Sequence, residues 1–206
     1  MGHGCLKSQI KKNVRTDNRA EELKKNKNDQ RVFQYIDERG KKVPVTSYSY
    51  KHEFVNFREV CAGGIASKWL YRSSHPAAFS ETDFTLAKLA EEAEIAAVIN
   101  LDDNEAELAL KADRVPWYHH LFEKGRIIAL DMGFDYLSER FKIKLHKGFK
   151  FMLERDGPYL IHCLQGIDRT GFVVMILEML MGADGNEIMN DYMMSFLGRQ
   201  GFEKGS

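Results

Sequence analysis

Residues 160–172 read LIHCLQGIDRTGF. The stretch opens inside the apolar run PYLIHC (158–163) and leads into RTGFVVMILEMLMG (169–182), where most residues are apolar. A short continuous apolar run marks a strand buried on both faces, and a longer one with hardly a polar stripe marks a buried helix. Gly182 is placed to end that helix. A buried strand handed straight to a buried helix predicts a parallel sheet covered by helices.

The flanking segments repeat the pattern. IAAVINL (95–101) and RIIAL (126–130) are further buried strands, and KWLYRSS (68–74) is another, broken off before Pro76. DDNEAELALKAD (102–113) predicts a helix. So does SETDFTLAKLAEEAE (80–94), with Ser80 as its cap and Phe84, Leu86, Leu89 and Ala90 as its apolar positions. SERFKIKLHKGFKFMLERDG (138–157) predicts a long amphipathic helix with Phe141, Leu145, Phe149 and Met152 on one face and Gly157 as its stop. NEIMNDYMMSF (186–196) is a last helix, and folding is expected to begin near RVFQYIDERG (31–40) with a strand and a turn at Gly40. The reading is an α/β fold with a mainly parallel central sheet flanked by helices on both faces. No internal repeat is visible.

Bulk properties narrow the function. A chain of 206 residues makes one ordinary domain, here expected over 31–206. Residues 1–30 carry eight Lys or Arg against four Asp or Glu and read as a solvated, mobile leader. Zero net charge gives no global pull toward nucleic acid. No apolar run is long enough to span a membrane, the N-terminus lacks a signal-peptide core, and Leu6 breaks the myristoylation pattern. Cys5, Cys61 and Cys163 make neither a disulfide framework nor a zinc pattern, and His119–His120 reads as loop. No metal and no cofactor is expected. A reducing, cytoplasmic setting fits the sequence as it stands, and a secreted one fits if a signal peptide has been removed.

Parallel strands bring their carboxyl ends to one sheet edge, where ligands bind. Cys163 ends such a strand, and the residues after it run into the N-terminus of a helix at Arg169. A loop there turns successive N–H groups of Leu164, Gln165, Gly166, Ile167, Asp168 and Arg169 into one concavity, and the helix end adds partial positive charge. Gly166 is expected to let the backbone approach a ligand, and Gly171 to seat the helix on the sheet. The planar fork of Arg169 suits two phosphate oxygens. A thiol works as thiolate, which near neutrality asks for roughly 3 kcal/mol of extra stabilisation. A helix N-terminus contributes up to about 2 kcal/mol. Charge-assisted hydrogen bonds, Thr170 among the donors, contribute about 1.5–3 kcal/mol each. Cys163 is therefore expected to be a nucleophile. A merely structural cysteine requires His162, Cys163, Gly166, Arg169, Thr170 and Gly171 to coincide by chance, on the order of one in a hundred thousand.

The run resembles the H-C-x5-R-T signature of the protein tyrosine phosphatase superfamily. VNFREV (55–60) with LYRSS (70–74) is similar to the N-F-R-D and Y-R-S segments of its bacterial tyrosine-specific and dual-specificity group, as are VINLDDNEAEL, IIALDMG and GPYLIHC. The resemblance covers roughly residues 53–196. It implies a cysteine-phosphatase fold and two-step hydrolysis of a phosphomonoester, carried on a phosphorylated protein or a small molecule, through a cysteinyl-phosphate. Cys163 would attack, Arg169 and the loop amides would hold the phosphoryl oxygens, and Thr170 would assist the departing thiolate. His162 would order the loop through a backbone hydrogen bond. The resemblance would have the chain continue past DYMMSF, so a truncated C-terminal helical region is expected. Ile167 stands where the group usually has Lys, which disfavours multiply phosphorylated inositol head groups and admits a loss of activity.

The leaving oxygen needs a general acid. Asp131, after the strand RIIAL, ranks first because the family's acid loop occupies that place. Asp168, inside the cradle, ranks second, Asp102 with Asp103 third and Asp135 last. Cys61 is a candidate resolving thiol for Cys163. Three rivals stay open: a phosphoinositide phosphatase, a phosphate-binding module with impaired catalysis, and a rhodanese-type sulfurtransferase.

Overall fold

The computed structural model describes residues 34–36, 42–44, 55–78 and 83–200. Chain order gives strands β1 (Gln34–Ile36), β2 (Lys42–Pro44), β3 (Arg58–Glu59) and β4 (Leu70–Ser73), then helix α1 (Asp83–Glu92) and β5 (Ala97–Asn100). Helices α2 (Glu105–Ala112) and α3 (Pro116–Glu123) precede β6 (Ile127–Ala129), α4 (Glu139–Leu153) and β7 (Tyr159–His162). Helices α5 (Asp168–Leu180) and α6 (Gly185–Gln200) close the described chain. The leader 1–30, Gly40 and the Ser80 cap lie outside the described residues.

β1 and β2 form an antiparallel pair of their own, and the other five strands form one sheet in the order β3-β4-β7-β5-β6. Every pairing in that sheet is parallel except β3 with β4. This is the expected mainly parallel sheet. Its register sets Ser73, His162 and Asn100 side by side, with Ala129 next to Asn100. The carboxyl ends of four strands therefore share one edge, and the loop after Cys163 emerges there.

Alternation along the strands builds two cores. Leu70, Ala97, Ile99, Tyr159 and Ile161 meet Phe141, Phe151 and Met152 of α4 and Val173, Val174 and Leu177 of α5. Tyr71, Val98, Ile127 and Leu160 meet Ala87 and Ala90 of α1, Leu108 of α2, and Tyr118 and Leu121 of α3 on the other face. Burying such side chains is worth about 1.5–3 kcal/mol apiece. Leu145 and Phe149 pack against the first core, so the expected face of α4 is the one that docks.

Local chemistry sets the helix ends. Asn104 caps α2 with its Oδ1 on the N–H groups of Ala106 and Glu107, both at 3.0 Å, and Glu107 reaches back to the N–H of Asn104 at 3.1 Å. The Ser138 hydroxyl accepts from Phe141 N at 3.0 Å and starts α4. Helix α4 ends at Leu153, before Gly157. His119 and His120 lie in α3 rather than in a loop, because Pro116 in its first turn presets the helical φ and Tyr118 and Leu121 are buried. Two turns are too short for periodicity to show.

Candidate active site

The loop from Cys163 to Ile167 is held from outside by its carbonyls. His75 N donates to Leu164 O at 3.1 Å. Asn56 Nδ2 donates to Gly166 O at 2.8 Å and Gln165 O at 3.5 Å, and Arg72 Nη2 donates to Gly166 O at 2.9 Å and Ile167 O at 3.4 Å. In a trans peptide the N–H points opposite to the C=O, so carbonyls drawn outward turn the following amides inward. Among the described residues no backbone carbonyl takes the N–H groups of residues 164–169. They converge at the N-terminus of α5 beside Cys163, which is 3% exposed. Such an arrangement can cradle an anion over the thiol.

Two glycines admit the close packing around this loop. Gly166 has φ +70, and a Cβ there would lie 2.2 Å from Ser73 O, so glycine serves the close approach of the loop to β4. At Gly171 a Cβ would meet the Tyr192 ring of α6 at 2.7 Å and Arg72 Nη2 at 3.3 Å. Its bare face admits α6 and the arginine.

Behind the loop lies a charged network. Arg72 is fully buried and pairs with Asp191 of α6 through Nη1. Arg58 donates from Nε to Asp191 Oδ1 at 3.1 Å, and from Nη2 to Asp191 O at 2.8 Å and Ser195 Oγ at 2.9 Å. It also donates to Asn56 Oδ1, orienting the amide that holds Gly166. Burial lowers the Arg58 pKa to about 10, with Arg72 adding to the fall. Glu178 of α5 adjoins the network, and burial, then the charge of Asp191, pushes its carboxyl up to about 8.

A second chain fixes His162. Asn100 Nδ2 donates to Asp103 Oδ2 at 2.8 Å and to Tyr118 OH at 3.1 Å, and Tyr118 OH lies 2.9 Å from His162 Nε2. Burial holds the Tyr118 phenol well above its ordinary pKa, so it keeps its proton to donate. His162 is driven well below the usual histidine range by burial, then by His75. A neutral ring with Nδ1 3.4 Å from Cys163 O is the arrangement expected of a residue that orders the loop.

Arg169 faces the acid side of the edge. Its Nη1 donates to Met132 O at 3.0 Å, its Nη2 pairs with Asp102, and its guanidinium lies 5.1 Å from the centre of the exposed Phe134 ring. Asp131 has φ 42, in the left-handed region that aspartate tolerates. Its Oδ2 takes Arg140 Nη2 at 2.9 Å and Lys144 Nζ at 3.0 Å. The Lys144 hydrogen bond, with both charges, holds the carboxyl below its ordinary range. Asp135 is likewise lowered, first by the Ser138 hydroxyl at 2.7 Å. Asp102, Asp131, Met132, Asp135, Arg140, Lys144 and Arg169 line a cavity of about 240 Å³.

The structure thus brings Asp131, Asp102 and Asp135 to one cavity with Arg169, while Asp168 is exposed on the first turn of α5. Thr170 is fully buried, and among the described residues its hydroxyl has no protein hydrogen-bond partner. Asp103 is buried against His75 Nε2 at 2.7 Å, Asn100 and Lys111, which outweigh burial and depress its pKa. His75, Asp102 and Asp103 present ligand atoms within 4.8 Å of one another, yet each already has a protein partner, so their geometry is satisfied without an ion. No disulfide joins Cys61 to Cys163. Among the described residues no helix is long and apolar enough to cross a membrane.

The profile of the tyrosine phosphatase family matches residues 52–204. The chain belongs to that family. As a tyrosine phosphatase-family member it is a cysteine-dependent phosphatase. Its fold is similar to that of the core catalytic domain of the PP-IP phosphatase SIW14 from S. cerevisiae, at 22% identity and TM-score 0.47 over 70% of this chain and 78% of that one. TpbA of P. aeruginosa in complex with pTyr is similar at 16% identity and TM-score 0.47 over 84% of each chain. The PTP-2 phosphatase of Cydia pomonella follows at 13% identity and TM-score 0.45 over 73% and 83%. Among curated proteins none matches. Within this tyrosine phosphatase-family chain, sequence reasoning gave Asp191 and Tyr118 no role at all, and Asn56 stood in the N-F-R segment as likeness only. The signal for Arg58 and Arg72 was present in the N-F-R and Y-R-S segments, but as likeness without a job.

Proposed function

We propose that the chain hydrolyses phosphomonoesters through a cysteinyl-phosphate, with phosphotyrosine or a small phosphomonoester as substrate. The observation that carries this is the set of outward-tied carbonyls, which leaves a ring of amides around Cys163 to receive an oxyanion. Cys163 Sγ attacks phosphorus as the ester P–O bond breaks, the amides and Arg169 stabilising the equatorial oxygens. Asp131, released from its ion pairs, protonates the leaving oxygen. Its carboxylate then takes a proton from the attacking water as the S–P bond breaks, and Thr170 donates to the departing thiolate.

The test is turnover of phenyl phosphate by the full chain. Cys163→Ser is expected to lose at least about 10⁴-fold in kcat while retaining phosphate binding. Turnover surviving that substitution removes the reading. A second reading, a phosphate-binding module with impaired catalysis, is favoured by the two ion pairs that keep Asp131 ionised. Binding of inorganic phosphate by a wild-type chain that turns nothing over would establish it.

A further inference from the structure

The Asp131 carboxylate occupies a place built for an oxyanion. Arg140 and Lys144, one turn apart on α4, converge on a single oxygen, Oδ2, at 2.9 and 3.0 Å. Lys144 also holds the Asp131 carbonyl. Arg169 lines the same cavity from the loop side, so a space of about 240 Å³ is lined by three cations and by the carboxylates of Asp102, Asp131 and Asp135; Asp102 takes Arg169, which leaves Arg140 and Lys144 to share the one carboxylate of Asp131. Arg140 is mostly exposed and Lys144 mostly buried, so one cation can swing while the other is fixed. A phosphate group offers more oxygens and more charge than a carboxylate, and guanidinium with ammonium is the donor set it prefers.

We infer that Arg140 and Lys144 form a subsite for the second phosphate of a small soluble bisphosphate, and that its arrival exchanges with Asp131 and frees this carboxyl to act as the acid. This rests on the proposed function and adds a substrate class to it. The exchange makes proton delivery depend on the substrate. With Asp131 clamped by two cations, the carboxyl holds its negative charge and has no proton to give. With a phosphate dianion in its place between those cations, Asp131 loses both partners and gains a like charge beside it, which favours taking a proton from solvent. The same proton then passes to the leaving oxygen as the S–P bond forms and the P–O bond breaks. A monoester lacking the second phosphate is turned over only through the smaller fraction of chains in which Asp131 is unclamped.

The experiment compares the full-length wild type with Arg140→Ala,Lys144→Ala on three substrates. These are fructose 1,6-bisphosphate, fructose 6-phosphate and phenyl phosphate, with phosphoinositide vesicles as a fourth arm. Wild type is expected to favour the bisphosphate over fructose 6-phosphate by about tenfold or more in kcat/KM, as expected for one or two charge-assisted contacts. The double variant is expected to bring that ratio to about two, the statistical value for two phosphates, and to raise the phenyl phosphate rate several-fold. An unchanged ratio, or all rates falling together, overturns the inference, as does a preference confined to vesicles. A second arm avoids turnover: Cys163→Ser protein titrated calorimetrically with fructose 1,6-bisphosphate should bind about tenfold more weakly once both cations are removed. Equal binding overturns the subsite. Binding that follows the cations in a chain without turnover keeps the subsite and defeats the phosphatase reading alone.

Discussion

The two sides of the catalytic edge are built differently. On the nucleophile side, the loop carbonyls are tied to Asn56, Arg72 and His75, and Arg72 is tied in turn to Asp191 of α6; most of these groups are buried. On the Asp131 side, Asp131 and Arg140 are half or more exposed, and only Lys144 of that trio is mostly buried. Buried pairs are costly to break because a bare charge is left behind, whereas exposed pairs are worth about 0–1 kcal/mol. The loop around Cys163 is therefore fixed in advance, and Asp131, the proposed proton donor, is adjustable. Such a division suits a reaction whose charge distribution at phosphorus is constant while its leaving groups vary.

The largest expected effect breaks the fixed side. Arg72→Met takes from Asp191 one of its two arginines and removes the donors to the Gly166 and Ile167 carbonyls, which should cost about 3 kcal/mol in urea unfolding. Phosphate affinity should fall in whatever fraction stays folded, while Arg72→Lys, keeping the charge without the fork, falls between. If the folded Met variant binds phosphate as the parent does, the cradle does not depend on the network, and the contrast between the two sides collapses.

How much of this was legible before any coordinates depended on the range of the interaction. Apart from α3, the order of strands and helices from 95 to 182 follows from apolar runs whose length and period are local properties, and the sheet bears them out. Cys163, Arg169 and the loop between them lie within seven residues, so one short motif carried them. The anchors did not show. Asp191 reaches Arg72 across 119 residues, and Asn56 reaches Gly166 across 110, and no periodicity encodes such pairings. Helix α3 hid because two turns carry too few apolar positions, and Tyr118, which holds His162, was hidden with it. Asp131 was named from its place after a strand, but Arg140 and Lys144, which hold it, reach back nine and thirteen residues from another element.

The adjustable side makes a smaller prediction. Asp131→Asn should slow kcat on phenyl phosphate by about 10²-fold, the ordinary worth of general acid catalysis. With para-nitrophenyl phosphate, whose leaving group departs without protonation, it should change the rate much less. Stability should move little, because Asp131 itself is half exposed and the asparagine carbonyl can still accept from both cations. Equal slowing on both substrates would place the role of Asp131 in binding rather than in proton delivery. Should Asp102→Asn reproduce the leaving-group dependence instead, Asp102 takes the role.

The smallest effect probes where the fixed side is itself imperfect. Glu178 is 1% exposed, its Oε1 has no protein partner among the described residues, and its pKa stands at about 8 against an ordinary 4.5. Burial is the main cause, and Asp191 adds to it, while Arg72 and Arg58 oppose it. Between those values the native chain keeps a proton that the unfolded chain releases, so unfolding sheds a proton there. The stabilising contribution of the neutral carboxyl is complete below the unfolded pKa and is lost as pH rises toward 8, at a slope approaching about 1.4 kcal/mol per pH unit. Glu178→Gln keeps the shape, abolishes the titration and should flatten that part of the stability profile measured by urea unfolding from pH 5 to 8. A parallel profile for parent and variant would show that the proton is not held there. A flattened one would show that the network balances its two arginines against Asp191 alone, because an ionised Glu178 would compete for Arg72 and draw it from the carbonyls that shape the cradle.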